Sequence, residues 1–160
     1  MSTTGVPTLD VRGPGAEKLI QAACGEQCTR DTPKVDPAEL PGYMLSLPAW
    51  HVNDEKTMLT RRFTAKNFMA AIRFFNQVAE VAEQQGHHPD LHLRNFREVE
   101  VNVYTHAVGG ITLPDLALAA LLDGIEVDYS PKWAKAEAER LTGLTAADKA
   151  RQSEKAAATA

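Results

Sequence analysis

The strongest pattern along the chain is a helical repeat of apolar residues between positions 64 and 86, "TAKNFMAAIRFFNQVAEVAEQQG". Apolar residues recur there at spacings of three and four, which places them on one face of an α-helix. Thr64 is the predicted N-cap of this helix, and Gly86 stands where a glycine commonly ends one. The predicted core-facing residues are Phe68, Ile72, Phe75, Ala79 and Ala82.

An alternation of apolar and polar residues follows this helix, in "DLHLRNF" and "REVEVNVYTHAV". A period of two is typical of a strand with one buried face, and here Val99, Val101 and Val103 form that face. The short connection at 95–97 predicts a hairpin. Ahead of the helix, "WHVNDEKTMLTRRFT" predicts two more short strands around a turn at 53–55.

A second helix is predicted in "GGITLPDLALAALLDGIEV", which opens with a Gly-Gly turn and has Leu116 and Ala120 on its core face. The element order is therefore strand, strand, helix, strand, strand, helix. Two hairpins make a four-stranded antiparallel sheet, and the two helices pack on one of its faces. The sequence predicts an α+β fold, a two-layer sandwich.

The flanks of this pattern divide the chain into three parts. Residues 1–35, rich in Gly, Pro, Thr and Asp, predict an irregular N-terminal extension with one short helix around "AEKLIQAA". The sandwich domain is predicted to span 36–128, with Asp36 as N-cap of a helix that starts at Pro37. Residues 129–160 predict a tail, helical in "SPKWAKAEAERL" and frayed or disordered beyond it.

Composition excludes some classes of function. The 160 residues carry a formal net charge of −4, so no clustered basic excess indicates direct binding of nucleic acid. No apolar run approaches the ~20 residues of a membrane span, and residues 1–20 do not resemble a secretory signal. We expect a soluble cytoplasmic protein, with a plastid or mitochondrial location as the alternative.

The cysteines, Cys24 and Cys28, lie in "CGEQC". A metal or redox pair usually has two residues between the cysteines, and a structural zinc site would require a second pair. We therefore expect two free thiols in a reducing compartment, with a disulfide between them as the alternative elsewhere.

The segment "EQQGHHPDLHL", residues 83–93, concentrates polar chemistry at the end of the first helix. Five candidate site residues lie at ends of predicted elements and would form one cleft if those ends share a rim: Glu83, His87, His88, His106 and Asp115. Adjacent histidines diverge in an extended backbone, so they are poor ligands for a single ion, and we expect no metal. "TLPD" also has capping-box spacing, which gives Asp115 a structural alternative. We expect His51 and His92 to be surface residues.

The spacing of these residues resembles the signature of the pterin-4a-carbinolamine dehydratases. Glu83 is followed after three residues by His87-His88-Pro89, Phe96 comes after six more, His106 after nine, and Asp115 after eight. The resemblance runs from about Val35 to Ile125, and "GHHPDLHL" and "THAVGGIT" are most similar to the plant and algal branch. It implies a four-stranded antiparallel sheet, homodimers or homotetramers, and loss of water from 4a-hydroxytetrahydropterin without a metal or redox cofactor.

The resemblance also implies roles for individual residues. His88 and His106 would be the general acid–base pair, because imidazoles titrate near neutrality, and His87 would help bind the pterin and stabilise developing charge. Glu83 and Asp115 would fix histidine tautomers or hydrogen-bond the amino-pyrimidine edge of the pterin. Two departures are Pro114, where some members carry a basic residue, and Gly86, where animal members carry Asp.

A second class of function stays open on the same fold. Some relatives are dimerisation cofactors of a transcription factor, and others resemble Rubisco assembly factors, so a protein partner is an alternative to a pterin substrate. A non-catalytic relative has no need of three histidines. Because all three are present here, we favour the enzyme.

Overall fold

The computed structural model describes residues 9–23 and 28–158 and contains four strands and five helices in that part of the chain. The strands are β1 (Trp50–Val52), β2 (Leu59–Thr64), β3 (Asp90–Arg94) and β4 (Glu98–Val103). The helices are α1 (Ala16–Ala23), α2 (Leu40–Met44), α3 (Phe68–Gln85), α4 (Leu113–Leu122) and α5 (Pro131–Ala158). The sheet order is β1-β2-β4-β3 with every pair antiparallel, which confirms the predicted α+β fold.

Strand register places the predicted valines on the buried face of the sheet. Val99 and Val101 pair with Phe63 and Arg61 on one side and with Leu93 and Leu91 on the other. Val99, Val101 and Val103 are all buried, as predicted. The predicted hairpin is present: residues 95–97 connect Arg94 to its strand partner Glu98, and Asn95 and Phe96 both have positive φ angles.

Helix α3 starts later than predicted. Asn67 is its N-cap, and the side-chain oxygen of Asn67 accepts a hydrogen bond from the Ala70 N–H at 2.9 Å. The prediction of Thr64 was wrong because Thr64 is still paired in β2, opposite Glu98. The predicted C-terminal cap is confirmed: Gly86 has φ 62°, and its N–H bonds the carbonyls of Ala82 and Glu83.

The buried face of α3 also differs from the prediction. Ala70, Ala71, Phe74, Val78 and Ala82 face the core, so only Ala82 belongs to both sets. Phe68, the first residue of the predicted stripe, is 49% exposed. Phe74 instead packs edge-on against Phe63 of the sheet, with ring centroids 4.9 Å apart. Small residues at 70 and 71 allow this face to approach the strands closely.

Helix α4 is apolar around nearly its whole circumference because it lies between other elements. It contacts β4 and α3, and α1 packs against it. Leu116 and Ala120 are fully buried, as predicted. A helix enclosed in this way has no need of a polar face.

The N-terminal extension and the tail both contribute to packing. Val11, Ala16 and Leu19 are buried in the common core, and α1 occupies the predicted "AEKLIQAA".

Asp36 accepts a hydrogen bond from the Ala38 N–H within a turn, and α2 begins only at Leu40, so the helix predicted from Pro37 was wrong. The domain limits at 35 and 129 stay a prediction, and Cys24 lies outside the described residues. Cys28 is a free thiol.

A buried ion pair ties the end of α4 to the sheet. Asp123 Oδ1 accepts hydrogen bonds from Arg61 Nη1 at 3.0 Å and from Trp50 Nε1 at 2.9 Å. Asp123 Oδ2 has no hydrogen-bond partner among the described residues. Burial raises the pKa of Asp123 to about 6, although Arg61 opposes the change. Sequence alternation places Arg61 on the same face as Phe63, but the ion pair of Arg61 with Asp123 was not predicted.

Candidate active site

The end of α3 sets the directions of two adjacent histidines. Because Gly86 adopts the left-handed conformation, the chain reverses and the His87 N–H bonds the carbonyl of Ala82 at 3.1 Å. The His87 side chain turns inward and is 10% exposed, whereas that of His88 points outward and is 63% exposed. Pro89 then leads the chain into β3.

His87 belongs to a buried hydrogen-bond network centred on Asp115. His87 Nε2 contacts Asp115 Oδ1 directly, and the Asp115 side chain is fully buried. Asp115 Oδ2 accepts from the Thr112 N–H and from Thr105 Oγ1, each at 2.8 Å, and lies 3.1 Å from Thr112 Oγ1. An ionised carboxylate can only accept, so His87 Nε2 carries the proton.

Asp115 caps α4, as the TLPD spacing predicted, and it also contacts His87. Asp115 accepts the Thr112 N–H at the N-terminus of α4, where the helix dipole favours a negative charge. The same carboxylate holds His87. Through this one residue, the start of α4 is fixed to the end of α3.

His88 pairs with Glu83 on the open surface. His88 Nε2 lies 2.6 Å from Glu83 Oε1, and both side chains are mostly exposed. With Nε2 bonded to the carboxylate, the other ring nitrogen is the one that remains for a substrate. An exposed pair of this kind contributes little to stability, but it fixes the tautomer and the ring orientation.

His106 contacts one residue that was not predicted, Tyr104, and through it a second, Asp90. Its Nε2 lies 2.7 Å from the hydroxyl of Tyr104, and that hydroxyl donates to Asp90 Oδ2 at 3.0 Å. The Tyr104 and His106 rings also contact each other, with centroids 4.5 Å apart. The Asp90 hydrogen bond raises the pKa of Tyr104, so the hydroxyl keeps its proton.

These hydrogen bonds connect the three chain segments that carry the five predicted residues. His87–Asp115 joins the end of α3 to the start of α4, and Thr105–Asp115 joins the loop of His106 to the same carboxylate. Asp90–Tyr104 joins the strand after His88 to the strand before His106. The predicted residues thus lie at one edge of the sandwich, as three hydrogen-bonded groups.

His88 and His106 are exposed at this edge. Two clefts of the described part of the chain lie elsewhere, one of about 640 Å³ between α3 and residues 123–129 and one of about 530 Å³ beside α2 and α5. No site histidine lines either cleft. His51 is exposed, as predicted, and His92 is half-buried on β3.

A metal site would require several of these side chains to converge on one point. Within 9–23 and 28–158, no group of three or more His, Cys, Asp and Glu side chains is arranged to hold a metal ion. His87 and His88 point in different directions, and each is already hydrogen-bonded to its own carboxylate. These donors therefore form separate histidine–carboxylate pairs.

Two signals in the sequence could have identified the missed residues. Tyr104 alternates with His106 on the polar side of the last strand pattern, and Asp90 follows directly after "HHP". Their contact depends on strand register, because Asp90 pairs with Asn102 and Tyr104 lies two residues further along the same face. Register between two strands was not predictable here from alternation alone.

Comparison with known proteins identifies the family of this chain. A family described as "Pterin 4 alpha carbinolamine dehydratase" matches residues 33–125, more than half of the chain. The chain belongs to this family. The family is one of dehydratases, which are hydro-lyases, and its match covers all five predicted site residues.

Individual relatives support the assignment. A mitochondrial pterin-4-alpha-carbinolamine dehydratase 2 of Arabidopsis thaliana is 43% identical over 77 residues, which are 48% of this chain and 41% of that protein. A putative pterin-4-alpha-carbinolamine dehydratase of Marinobacter nauticus is 38% identical over 107 residues, 66% of this chain and 95% of that protein. This chain therefore spans less than half of the Arabidopsis protein but nearly all of the bacterial one.

A solved structure shares the fold. The "transcriptional coactivator/pterin dehydratase from Brucella Melitensis" superposes with a TM-score of 0.55 at 28% identity, covering 59% of this chain and 99% of that one.

Among the helices that the structure describes, none is both long enough and apolar enough to cross a membrane.

Proposed function

We propose that this chain removes water from 4a-hydroxytetrahydropterin to give the quinonoid dihydropterin, a step of pterin recycling. The observation that carries the proposal is the pair of exposed histidines, His88 and His106, each hydrogen-bonded through Nε2 and therefore oriented. Family membership supplies the substrate class. The geometry supports acid–base chemistry by these two imidazoles.

The reaction requires two proton transfers. The C4a–O bond breaks as the hydroxyl group receives a proton and leaves as water, and a ring N–H loses its proton so that its electron pair forms the new double bond. Imidazoles titrate near neutral pH and can perform either transfer. We assign the pair of transfers to His88 and His106.

His87 and Asp115 have a supporting role in this proposal. The Asp115 side chain is fully buried, so its contacts favour the fixing of a tautomer over a direct hydrogen bond to the pterin. Glu83 orients His88 in the same way at the surface. His87 is available to the pterin only through the small part of its ring that is exposed, and stabilises charge from there.

The proposal is tested by stopped-flow measurement of dehydration with chemically generated 4a-hydroxytetrahydropterin. We expect wild-type protein to accelerate the reaction and His88→Ala to lose most of the acceleration. His92→Ala is the matched control, because His92 is a neighbouring histidine on β3 outside the hydrogen-bonded groups. A folded wild-type protein that does not accelerate dehydration would contradict the proposal.

Self-association is part of the proposal, as a homodimer or homotetramer. Phe68 and Met69 of α3 are 49% and 57% exposed, and Ile72 and Phe75 on the same helix are only half-buried. Phe68, Ile72 and Phe75 belong to the face that the sequence predicted to be buried, and Met69 lies beside them. A second subunit would cover this exposed stripe. Analytical ultracentrifugation should show an oligomer that Phe68→Glu weakens and Leu45→Glu, at a similarly exposed leucine of another element, does not.

A protein-binding function is the second candidate. The Brucella relative is described as a transcriptional coactivator as well as a pterin dehydratase, and the same α3 stripe could serve a different protein. The two functions separate experimentally. A protein that only binds a partner would require neither His88 nor His106. This candidate would be favoured if the wild type does not dehydrate the pterin and His88→Ala still binds the partner.

The compartment belongs to the proposal as well. We propose a cytoplasmic location. An organelle is the alternative, because the Arabidopsis relative is named as mitochondrial. Fractionation of cells that express the tagged protein distinguishes the two.

A further inference from the structure

We propose that Tyr104 and Asp90 are positioning residues for His106: they hold it as the Nε2–H tautomer and leave its Nδ1 free to exchange a proton with the pterin. This inference rests on the proposed function for its catalytic consequence. Its structural content, the tautomer of one histidine, can be measured without any substrate.

The direction of the hydrogen bonds fixes the position of the protons. A tyrosine hydroxyl has one proton, and an ionised aspartate can only accept. Tyr104 donates its proton to Asp90 Oδ2 at 3.0 Å, so its oxygen is left as an acceptor for His106 Nε2–H at 2.7 Å. The proton on His106 is therefore at Nε2, and a neutral ring has its lone pair at Nδ1.

Strand pairing builds this arrangement. Asp90 begins β3 opposite Asn102, and Tyr104 follows β4 two residues beyond Asn102, on the same face of the sheet. Asp90 also stands two residues after His88 in the chain. The Asp90–Tyr104 hydrogen bond thus fixes the spacing between the segment of His88 and the segment of His106. Through Tyr104 it also fixes the orientation of the His106 ring.

The burial of the three groups sets the size of the effect. His106 and Asp90 are exposed and Tyr104 is half-buried, so their hydrogen bonds compete with water until a substrate covers them. A net hydrogen bond at such a place changes a rate by on the order of tenfold or less. We therefore expect a modest loss of kcat and little change in the fold when either residue is replaced.

The test is NMR of the ring nitrogens of His106 in wild type, Asp90→Ala, Tyr104→Phe and the double variant. Wild type should show Nε2 protonated and Nδ1 unprotonated at a pH where the ring is neutral. Asp90→Ala frees the Tyr104 hydroxyl to donate to Nε2, so a substantial part of His106 should change to the Nδ1–H tautomer. In the Tyr104→Phe background, Asp90→Ala should have no further effect, because the connecting hydroxyl is gone.

Three results would overturn the inference: Nδ1 protonated in wild type, no tautomer change in Asp90→Ala, or an Asp90→Ala effect that persists without the Tyr104 hydroxyl. Tyr43→Phe, on α2, controls for the loss of a tyrosine hydroxyl elsewhere and should leave His106 unchanged.

Activity gives the second readout. If wild type dehydrates the pterin, Asp90→Ala and Tyr104→Phe should each lower kcat by on the order of tenfold, the double variant should be no worse than the poorer single variant, and KM should change little. Unchanged kcat in both variants would overturn the positioning role. An inactive wild type with the predicted tautomers would refute the proposed function and leave the hydrogen-bond assignment standing.

Discussion

Two neighbouring histidines of this chain have opposite surroundings. The His87 side chain is 10% exposed and contacts a fully buried carboxylate, whereas that of His88 is 63% exposed and contacts an exposed one. The difference comes from the Gly86 cap, which turns one ring inward and the other outward. Residues of one motif can therefore have separate roles: His87 and Asp115 join the end of α3 to the start of α4, and we propose that His88 and His106 contact the substrate.

The exposed histidines should give the largest effect. His88→Ala and His106→Ala should each lower kcat by about 10² to 10⁴-fold, because general acid–base catalysis typically contributes that much. The free energy of unfolding should change by less than about 0.5 kcal/mol, since neither side chain is packed in the core. Single-turnover kinetics and urea unfolding measure the two quantities. Wild-type rates in both variants would refute the acid–base assignment.

Substitutions in the buried network of His87 and Asp115 should change the free energy of unfolding more than the activity. Asp115→Ala leaves His87 Nε2 and the Thr112 N–H without their acceptor, at roughly 1 to 3 kcal/mol for each buried unpaired group. We expect the free energy of unfolding to fall by about 3 kcal/mol in urea titrations. Thr105→Val, which removes one of the hydrogen bonds to Asp115, should lower it by about 1 kcal/mol. A stable Asp115→Ala protein that has lost its activity a thousandfold would instead make Asp115 a direct participant.

The other end of α4 provides a buried carboxylate with no link to the histidines. The pKa of Asp123 is raised from 3.8 to about 6, chiefly by burial, so the folded state favours its protonated form. Its contribution to stability is fully present below pH 3.8 and is lost as the pH rises to about 6. The linkage amounts to roughly 3 kcal/mol at about 1.36 kcal/mol per pKa unit.

Asp123→Asn should remove this pH dependence. Wild type should lose up to about 3 kcal/mol relative to the variant between pH 4 and pH 7, measured by urea unfolding at each pH. Activity per folded molecule should stay the same, because eight residues of helix, about 12 Å, separate Asp123 from Asp115. A parallel pH profile in the two proteins would show that Asp123 is ionised in the fold throughout.

The smallest effect is expected at Glu83. Glu83→Gln keeps an acceptor for His88 but removes the charge, and an exposed pair of this kind is worth less than about 1 kcal/mol. We expect kcat to fall about threefold or less, with Glu80→Gln on the same helix as the control. A hundredfold loss would mean that Glu83 itself takes part in proton transfer.

Sequence periodicity predicted the sheet better than it predicted α3. The β4 valines alternate with polar residues, which predicted one apolar buried face, and Val99, Val101 and Val103 are buried. Helix α3 carries two apolar faces. The sheet contacts the one with alanines and Phe74, because small residues allow close packing, and the face with Phe68 is left partly exposed. Periodicity cannot rank two apolar faces of one helix.

The site was predictable where residues are close in sequence. Glu83, His87 and His88 share one helix end, and the TLPD spacing already indicated the cap at Asp115. The contact of Tyr104 with Asp90 depends on how two strands are aligned, and that of Arg61 with Asp123 on how a helix end meets the sheet. Such contacts depend on tertiary structure, which no short motif encodes.

The most direct test of this division of work is an NMR titration of the five histidine rings with a stable dihydropterin that lacks the 4a-hydroxyl group. Under this division, the ring signals of His88 and His106 shift in proportion to bound ligand, the signals of His87 respond weakly, and those of His51 and His92 do not respond. Binding that shifts only His51 or His92, or that leaves His88 and His106 unchanged, would contradict it.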